Sequence, residues 1–298
     1  MRSALRQIGI LAFGYIVVHV RYRFLRNMFS LIRRIRFELC FRFTMPRSQW
    51  SPVEDGPNVH LVTAADSSHF LPAIELMISA RSFEASWSVT FWDLGLTNTQ
   101  SRYIQDNFPE VVVRSFPFDK YPDFFAMNRS AGSFAWKPTL IWMEALEHDG
   151  LLVWMDAGDR ILGSCRKMLA IACHFGLYSP YSDGNIRKWT HPTAMSKLGI
   201  MESEYELPNL NGALIAFDLR REDTWKLLDA WRLAALDPEI FCPEGSDLTN
   251  HRQDQAALTF FAHRQSYRVP DCLQTINKGL GVGIHYDEEI SDKLLHSF

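Results

Sequence analysis

Two carboxylates three residues apart, Asp156 and Asp159, sit inside the segment LLVWMDAGDRIL at residues 151 to 162. The five apolar residues before them, Leu151 to Met155, read as a buried strand. Like charges held this close raise each other's pKa unless a cation lies between them. Mg²⁺ or Mn²⁺ suits such a pair, because both prefer carboxylate oxygen and are often shared with substrate phosphates. Ligands of open α/β sheets bind at the carboxyl ends of strands, so this turn is a candidate metal site. The same residues also fit an Asp-Gly turn with one solvated aspartate and one that caps a helix.

The elements that would position these groups follow from periodicity. Val59 to Ala65 reads as a strand followed by Asp66, and Leu71 to Phe83 as a helix. Trp87 to Asp93 alternates as a strand. Thr97 to Gln100 is a capping-box pattern opening a helix to Phe108, and Val111 to Phe116 is a third strand. This β-α-β-α-β order predicts a parallel sheet covered by helices. Lys137 to His148 is helical with Pro138 in its first turn, and Arg166 to Phe175 is a further helix. Residues 178 to 192 are polar, aromatic and read as irregular, a candidate substrate loop. Asn209 to Asp218 reads as one strand containing Asn211-Gly212. Glu222 to Leu236 and His251 to His263 read as helices, the second carrying Asp254-Gln255. The tail ends in a short strand reaching His285-Tyr286-Asp287.

The order of these features resembles nucleotide-sugar glycosyltransferases of the GT-A fold, especially glycosyltransferase family 8 and related domains with a YAWKP-like motif. That motif stands here as Phe134-Ala135-Trp136-Lys137-Pro138. The resemblance covers roughly residues 58 to 287. It implies an α/β domain with a mostly parallel central sheet flanked by helices. It implies transfer of a sugar from a nucleotide-diphosphate donor, UDP-linked, to a glycan, lipid or protein acceptor. Asp66, Lys137, Asn211, Gly212 and Lys278 would bind the donor. Asp254 and Gln255 would lie near the reacting centre. Asp156, Asp159 and His285 would hold Mn²⁺ or Mg²⁺ on the diphosphate. The spacing here is DxxD where the family has DxD, so Asp159 is the less secure ligand. Trp189, Thr190 and His191 either line an acceptor pocket or pin a loop. Each residue also has a structural reading. Lys137 fits a solvated helix start, Asp254 a partner of the helix dipole, and His285 a strand end. The GxGxG at 279 to 283 lacks the helix and acid of a dinucleotide site. Rival functions are a nucleotidyltransferase on the same sheet, a non-catalytic nucleotide-sugar-binding protein and a membrane adaptor.

Composition bounds the remainder. A chain of 298 residues that is 47% hydrophobic can bury one large core or two small ones. The net charge of −3 conceals an asymmetry. Residues 1 to 47 carry ten Arg, no Lys and a single acid, Glu38, so this basic arm precedes an acidic body. Such a body repels nucleic acid, which leaves a membrane surface as the anionic partner for the arm. Ile8 to Val20 is apolar but short of the roughly 20 residues that span a bilayer. Residues 21 to 35 read as a basic amphipathic helix suited to anionic lipid or, alternatively, packed on the body. Phe37, Leu39, Phe41 and Phe43 alternate as a short strand. Residues 48 to 57 read as a linker to a catalytic domain at 58 to 298. The expected location is the cytoplasmic face of a membrane, with a signal-anchored Golgi protein as the alternative. Five widely spaced cysteines without a CxxC pair predict reduced thiols and no structural zinc.

Overall fold

The computed structural model describes residues 28, 31–45, 58–127, 133–265, 267, 269–274 and 280–286. Residues 31 to 44 form a helix, α1. The body then runs β1 (Val59–Ala65), α2 (Phe70–Phe83), β2 (Ser88–Asp93), α3 (Asn98–Asn107) and β3 (Val112–Ser115). Next come α4 (Trp136–Ala145), β4 (Leu151–Met155), β5 (Arg160–Ile161), α5 (Arg166–Phe175) and β6 (Leu177–Tyr178). After these follow β7 (Tyr181–Asn185), α6 (Ile186–Trp189), α7 (Pro192–Leu198), β8 (Pro208–Leu210) and β9 (Leu214–Asp218). The chain closes with α8 (Glu222–Ala234), α9 (Pro238–Phe241), α10 (Gln253–Arg264) and β10 (Val282–Gly283).

Six strands form the central sheet in the order β3-β2-β1-β4-β9-β6. β1 pairs in parallel with β2 and β4, and β2 with β3. The expected α/β architecture with a mostly parallel sheet and covering helices is therefore present. β9 runs antiparallel to β4, from Met155 opposite Leu214 to Leu151 opposite Asp218. Its leading end thus arrives at the same edge as the trailing ends of β1 and β4. Strand β4 is buried along its whole length, as its unbroken apolar run requires for a strand covered on both faces. The Thr97–Gln100 capping box forms as the sequence predicts.

The core has two large layers. On one face Trp136, Leu140 and Ile141 of α4 pack with Trp154, Phe217 and Trp231. On the other, Met168 and Ile171 of α5 pack with Val153, Met155 and Tyr178. Burying each such side chain stabilises the fold by about 1.5–3 kcal/mol. Helix α4 is held so deeply that Lys137 in its first turn is itself buried.

Four readings of the sequence change. The alternation at Phe37 to Phe43 is helical, not a strand. Phe37, Phe41 and Met45, spaced by four, bury one face of α1 against the body, while Leu39 and Phe43 point outward. A period of four and a period of two both pass through 37 and 41, and packing against α5 selects the first. The proposed irregular loop at 178 to 192 contains β7 and α6, and β7 pairs with β8. The single strand over Asn209 to Asp218 breaks at Asn211–Ala213 into β8 and β9. Cys40 and Cys272 form a disulfide rather than two thiols, tying α1 to the far end of the chain. Among the described residues no helix is long and apolar enough to cross a membrane. Ile8 to Val20, the 48 to 57 linker and Lys278 lie outside the described residues.

Candidate active site

Lys137 is the centre of the site. Its Nζ donates to Asp156 Oδ1 at 2.9 Å and to the Gly212 carbonyl at 3.3 Å. Asp254 Oδ2 lies 3.1 Å from the same nitrogen. Four segments far apart in sequence therefore meet at one ammonium: the start of α4, the end of β4, the turn before β9 and the start of α10. The position is costly for a lysine. It is 4% exposed, and the first turn of a helix disfavours a cation. Burial alone would lower its pKa, but the charges of Asp156 and Asp254 outweigh this and hold it above the ordinary value. Asp254 moves upward too. Its burial is the largest cause and the nearby Asp156 charge adds to it, against the opposing pull of Lys137.

The surrounding groups fix this cluster. Trp154 of β4, two residues before Asp156, donates from Nε1 to Asp156 Oδ1 at 2.7 Å. The Lys137 ammonium lies 5.3 Å from the Trp154 ring centroid. Gln255 Oε1 accepts from the Gly212 amide at 3.1 Å, and its Nε2 donates to Ser182 Oγ at 3.3 Å. Asn211 Oδ1 accepts from Ala213 N at 2.7 Å, which shapes the turn into β9. A Cβ at Gly212 would meet Asp254 Oδ2 at 3.2 Å and Gln255 Cβ at 3.3 Å, so only glycine fits without displacing them. Phe134 and Gln253, close before Lys137 and Asp254, have φ of 52° and 37°. Non-glycine residues in this region are strained and gather at functional sites.

The remaining sequence candidates fall in two groups. Asp156 faces the cleft with its side chain 37% exposed. Asp159 does not. The extra residue of DxxD closes a turn in which Asp159 N donates to the Asp156 carbonyl at 2.9 Å. Asp159 is fully buried, with its Oδ1 3.4 Å from the backbone N of His285. His285 is exposed, at φ 61°. The predicted trio of Asp156, Asp159 and His285 is thus adjacent in the fold, but only Asp156 presents a carboxylate to the cleft. One carboxylate still fits a Mg²⁺-type ion, which is commonly held by one or two carboxylates together with substrate phosphates.

Asp66 follows β1 at the same sheet edge and caps the turn Ser67–His69. Its Oδ1 accepts from Ser68 N, Ser68 Oγ and His69 N at 3.1, 2.7 and 3.0 Å. These bonds lower its pKa despite the opposing effect of burial, which is the largest single contribution. Trp189, Thr190 and His191 pin their segment to the start of α10. The Arg252 guanidinium stacks 4.3 Å from the Trp189 ring centroid, and Arg252 N donates to the Trp189 carbonyl at 3.0 Å. His191 N donates to His251 Nδ1 at 3.2 Å, and Thr190 is buried. Trp154 and Ser182 complete the site and were not singled out in the sequence. Trp154 was legible, because residues two apart on a strand share a face. Nothing local marks Ser182.

No protein-family model matches the sequence. No curated protein matches it either. Among solved structures, the chain is similar to the galactosyltransferase LgtC bound to donor and acceptor sugar analogues. That match has 15% identity, 76% of this chain, 86% of that one and a TM-score of 0.41. It is also similar to the mannosyltransferase Ktr4p from S. cerevisiae, at 9% identity, 78% and 74% coverage and a TM-score of 0.45. The bifunctional glycosyltransferase WbbM matches over 64% of this chain at 13% identity and a TM-score of 0.40, and this chain spans 38% of its length.

Proposed function

We propose that this chain is a GT-A-type glycosyltransferase that moves a sugar from a nucleotide-diphosphate donor, UDP-linked, to a glycan, lipid or protein acceptor. The observation that carries this reading is the buried Lys137 ammonium between Asp156 and Asp254, where the trailing end of β4 meets the leading end of antiparallel β9. A structural role alone gives little reason to bury Lys137 and Asp254 where burial and the helix dipole both oppose the lysine.

In this reading Lys137 offsets one of the two carboxylate charges, which eases the approach of an anionic donor. It also remains positive beside the diphosphate as negative charge grows on the leaving group. That interaction strengthens in the transition state, which is what accelerates a reaction. Asp254 faces the sugar carbon, where a carboxylate stabilises oxocarbenium character. The acceptor hydroxyl needs a base or a substrate oxygen to take its proton. Gln255, through the Gly212 amide, fixes the strand turn beside the sugar. Mn²⁺ or Mg²⁺, held by Asp156 and the donor phosphates, would supply the further positive charge that one lysine against two aspartates lacks.

The outward face of α1 supports association with an anionic membrane surface. Leu31, Ile32, Ile35, Leu39 and Phe43 are half or more exposed opposite the buried Phe37 and Phe41, with Arg33, Arg36 and Arg42 exposed beside them. The Cys40–Cys272 disulfide favours the signal-anchored, oxidising-compartment alternative over the cytoplasmic face. Thiol labelling of the protein from its native membranes separates these two locations.

The test of activity is a screen of nucleotide-sugars with Mn²⁺, read by nucleotide release. Turnover with release of nucleoside diphosphate that disappears in Asp156→Ala and Lys137→Met is expected. Transfer undiminished in both variants would refute the site, and pyrophosphate release from a nucleoside triphosphate would reassign the enzyme as a nucleotidyltransferase.

A further inference from the structure

A second cluster of ligand-type side chains lies at the opposite end of the sheet. His60 is the second residue of β1, whereas Asp66 follows its last, so about 20 Å of strand separates this cluster from the cleft edge. Glu144, near the end of α4, is fully buried, and His148 follows three residues after that helix. His60 Nε2 and His148 Nε2 lie 3.1 and 3.5 Å from the same oxygen, Glu144 Oε2. The two imidazoles stack with centroids 3.5 Å apart.

The other oxygen is held separately. Glu144 Oε1 accepts from Trp92 Nε1 at 2.9 Å, and Arg114 Nε lies 3.3 Å away. Thr90 also hydrogen-bonds this carboxylate, and Oε2 faces the histidine pair. On the far side of His60, Nδ1 meets Ser88 Oγ at 2.7 Å, and Ser88 Oγ donates to the Val59 carbonyl at 3.5 Å. When the hydroxyl accepts from His60 Nδ1–H, Nε2 carries a lone pair that can bind an ion between it and Glu144 Oε2.

The geometry points to a divalent metal site, which we propose binds Zn²⁺ through His60 Nε2, His148 Nε2 and Glu144 Oε2. The ligand atoms of the three residues lie within 4.8 Å of one another. Two ligands about 2.0–2.1 Å from a tetrahedral zinc are about 3.3 Å apart, and the observed 3.1 and 3.5 Å bracket that value. Two imidazoles and one carboxylate, with water as the fourth ligand, make a recognised zinc set. A hydrogen-bonded partner on the second nitrogen of a ligating histidine, here Ser88, completes the second shell. His148 is 28% exposed at its side chain, which gives an ion an entry path. A bound ion would fasten the start of β1 to the end of α4, the helix that carries Lys137 at its other end. This site is independent of the nucleotide-sugar reading, since it shares no residue with the cleft.

The test uses untagged full-length protein stripped by chelation and titrated with Zn²⁺, and with Co²⁺ as a spectroscopic probe, without nucleotide. One equivalent should bind, with tetrahedral Co²⁺ bands and a rise in melting temperature. Ser88→Ala should weaken binding about tenfold, and His148→Ala by more than that. His148→Ala removes a partly exposed side chain, and its circular dichroism serves as the folding control. Absence of binding overturns the proposal. So does binding that is unchanged in His148→Ala, or binding that is lost in Asp156→Ala instead.

Discussion

Replacing Lys137 by methionine keeps the length of the side chain and removes the charge on which the cleft converges. Asp254 then stands buried without its cation, a situation that costs about 3–5 kcal/mol. A second route limits the cost, because Asp254 can take a proton. Protonating a carboxyl whose unfolded pKa is about 3.9 costs about 1.4 kcal/mol for each pH unit above that value, or about 4 kcal/mol at pH 7. The Asp156 side is discounted, since that carboxylate is 37% exposed and screened by water. The sign follows from the direction of the shift. A carboxylate whose folded pKa is raised loses stability as pH climbs past its unfolded value. The deficit of Lys137→Met should therefore shrink from about 4 kcal/mol at pH 7 to about 1.5 kcal/mol at pH 5. Urea denaturation of wild type and variant at pH 5, 6 and 7 measures it. The double variant Lys137→Met, Asp254→Asn should recover most of the loss at pH 7. A deficit independent of pH, or a double variant no better than the single, would show that Asp254 is not charged against Lys137.

Other outcomes follow from single contacts. Trp154→Phe keeps the ring beside Lys137 but removes the 2.7 Å bond to Asp156. A hydrogen bond to a charged group contributes about 1.5–3 kcal/mol, so kcat/KM of the transfer reaction should fall about 10- to 100-fold. His251 is buried with its pKa depressed to about 4, chiefly by burial. Its contribution is complete above its unfolded pKa of 6.5 and is lost as pH falls from there toward 4, by up to about 3 kcal/mol. Denaturation midpoints over that range should fall less steeply in His251→Phe. Cys40→Ser opens a link between residues 232 apart in sequence and should cost about 2–5 kcal/mol under non-reducing conditions, with no difference once reductant is present. Ile35→Ser with Leu39→Ser should release the protein from anionic vesicles while shifting stability by no more than about 0.5 kcal/mol, as exposed substitutions do.

Much of this fold is written locally. The strands at Val59, Ser88 and Leu151 and the box at Thr97 carry period, length and capping signals that survive into the structure. Lys137, Asp156, Gly212, Asp254 and Gln255 were all marked by residue type and order, and they meet. What the sequence left hidden depends on long-range geometry. One residue more in DxxD turns Asp159 inward, and no local pattern says which way a turn will face. The pairing of β7 with β8 is invisible because neither has an alternating apolar face. The helical register at Phe37 was settled by α5, which lies well over a hundred residues later. The Cys40–Cys272 link, across 232 positions, has no local trace at all.

The reversed direction of β9 has a practical meaning for how such a cleft diversifies. Its rim is fed by the loop entering the strand, not by the one leaving it. Changes in the Asn211–Ala213 turn would therefore reshape that rim while the ladder from Leu214 to Asp218 stays in register. A sheet wound wholly in one direction has no equivalent adjustable inlet at this seam.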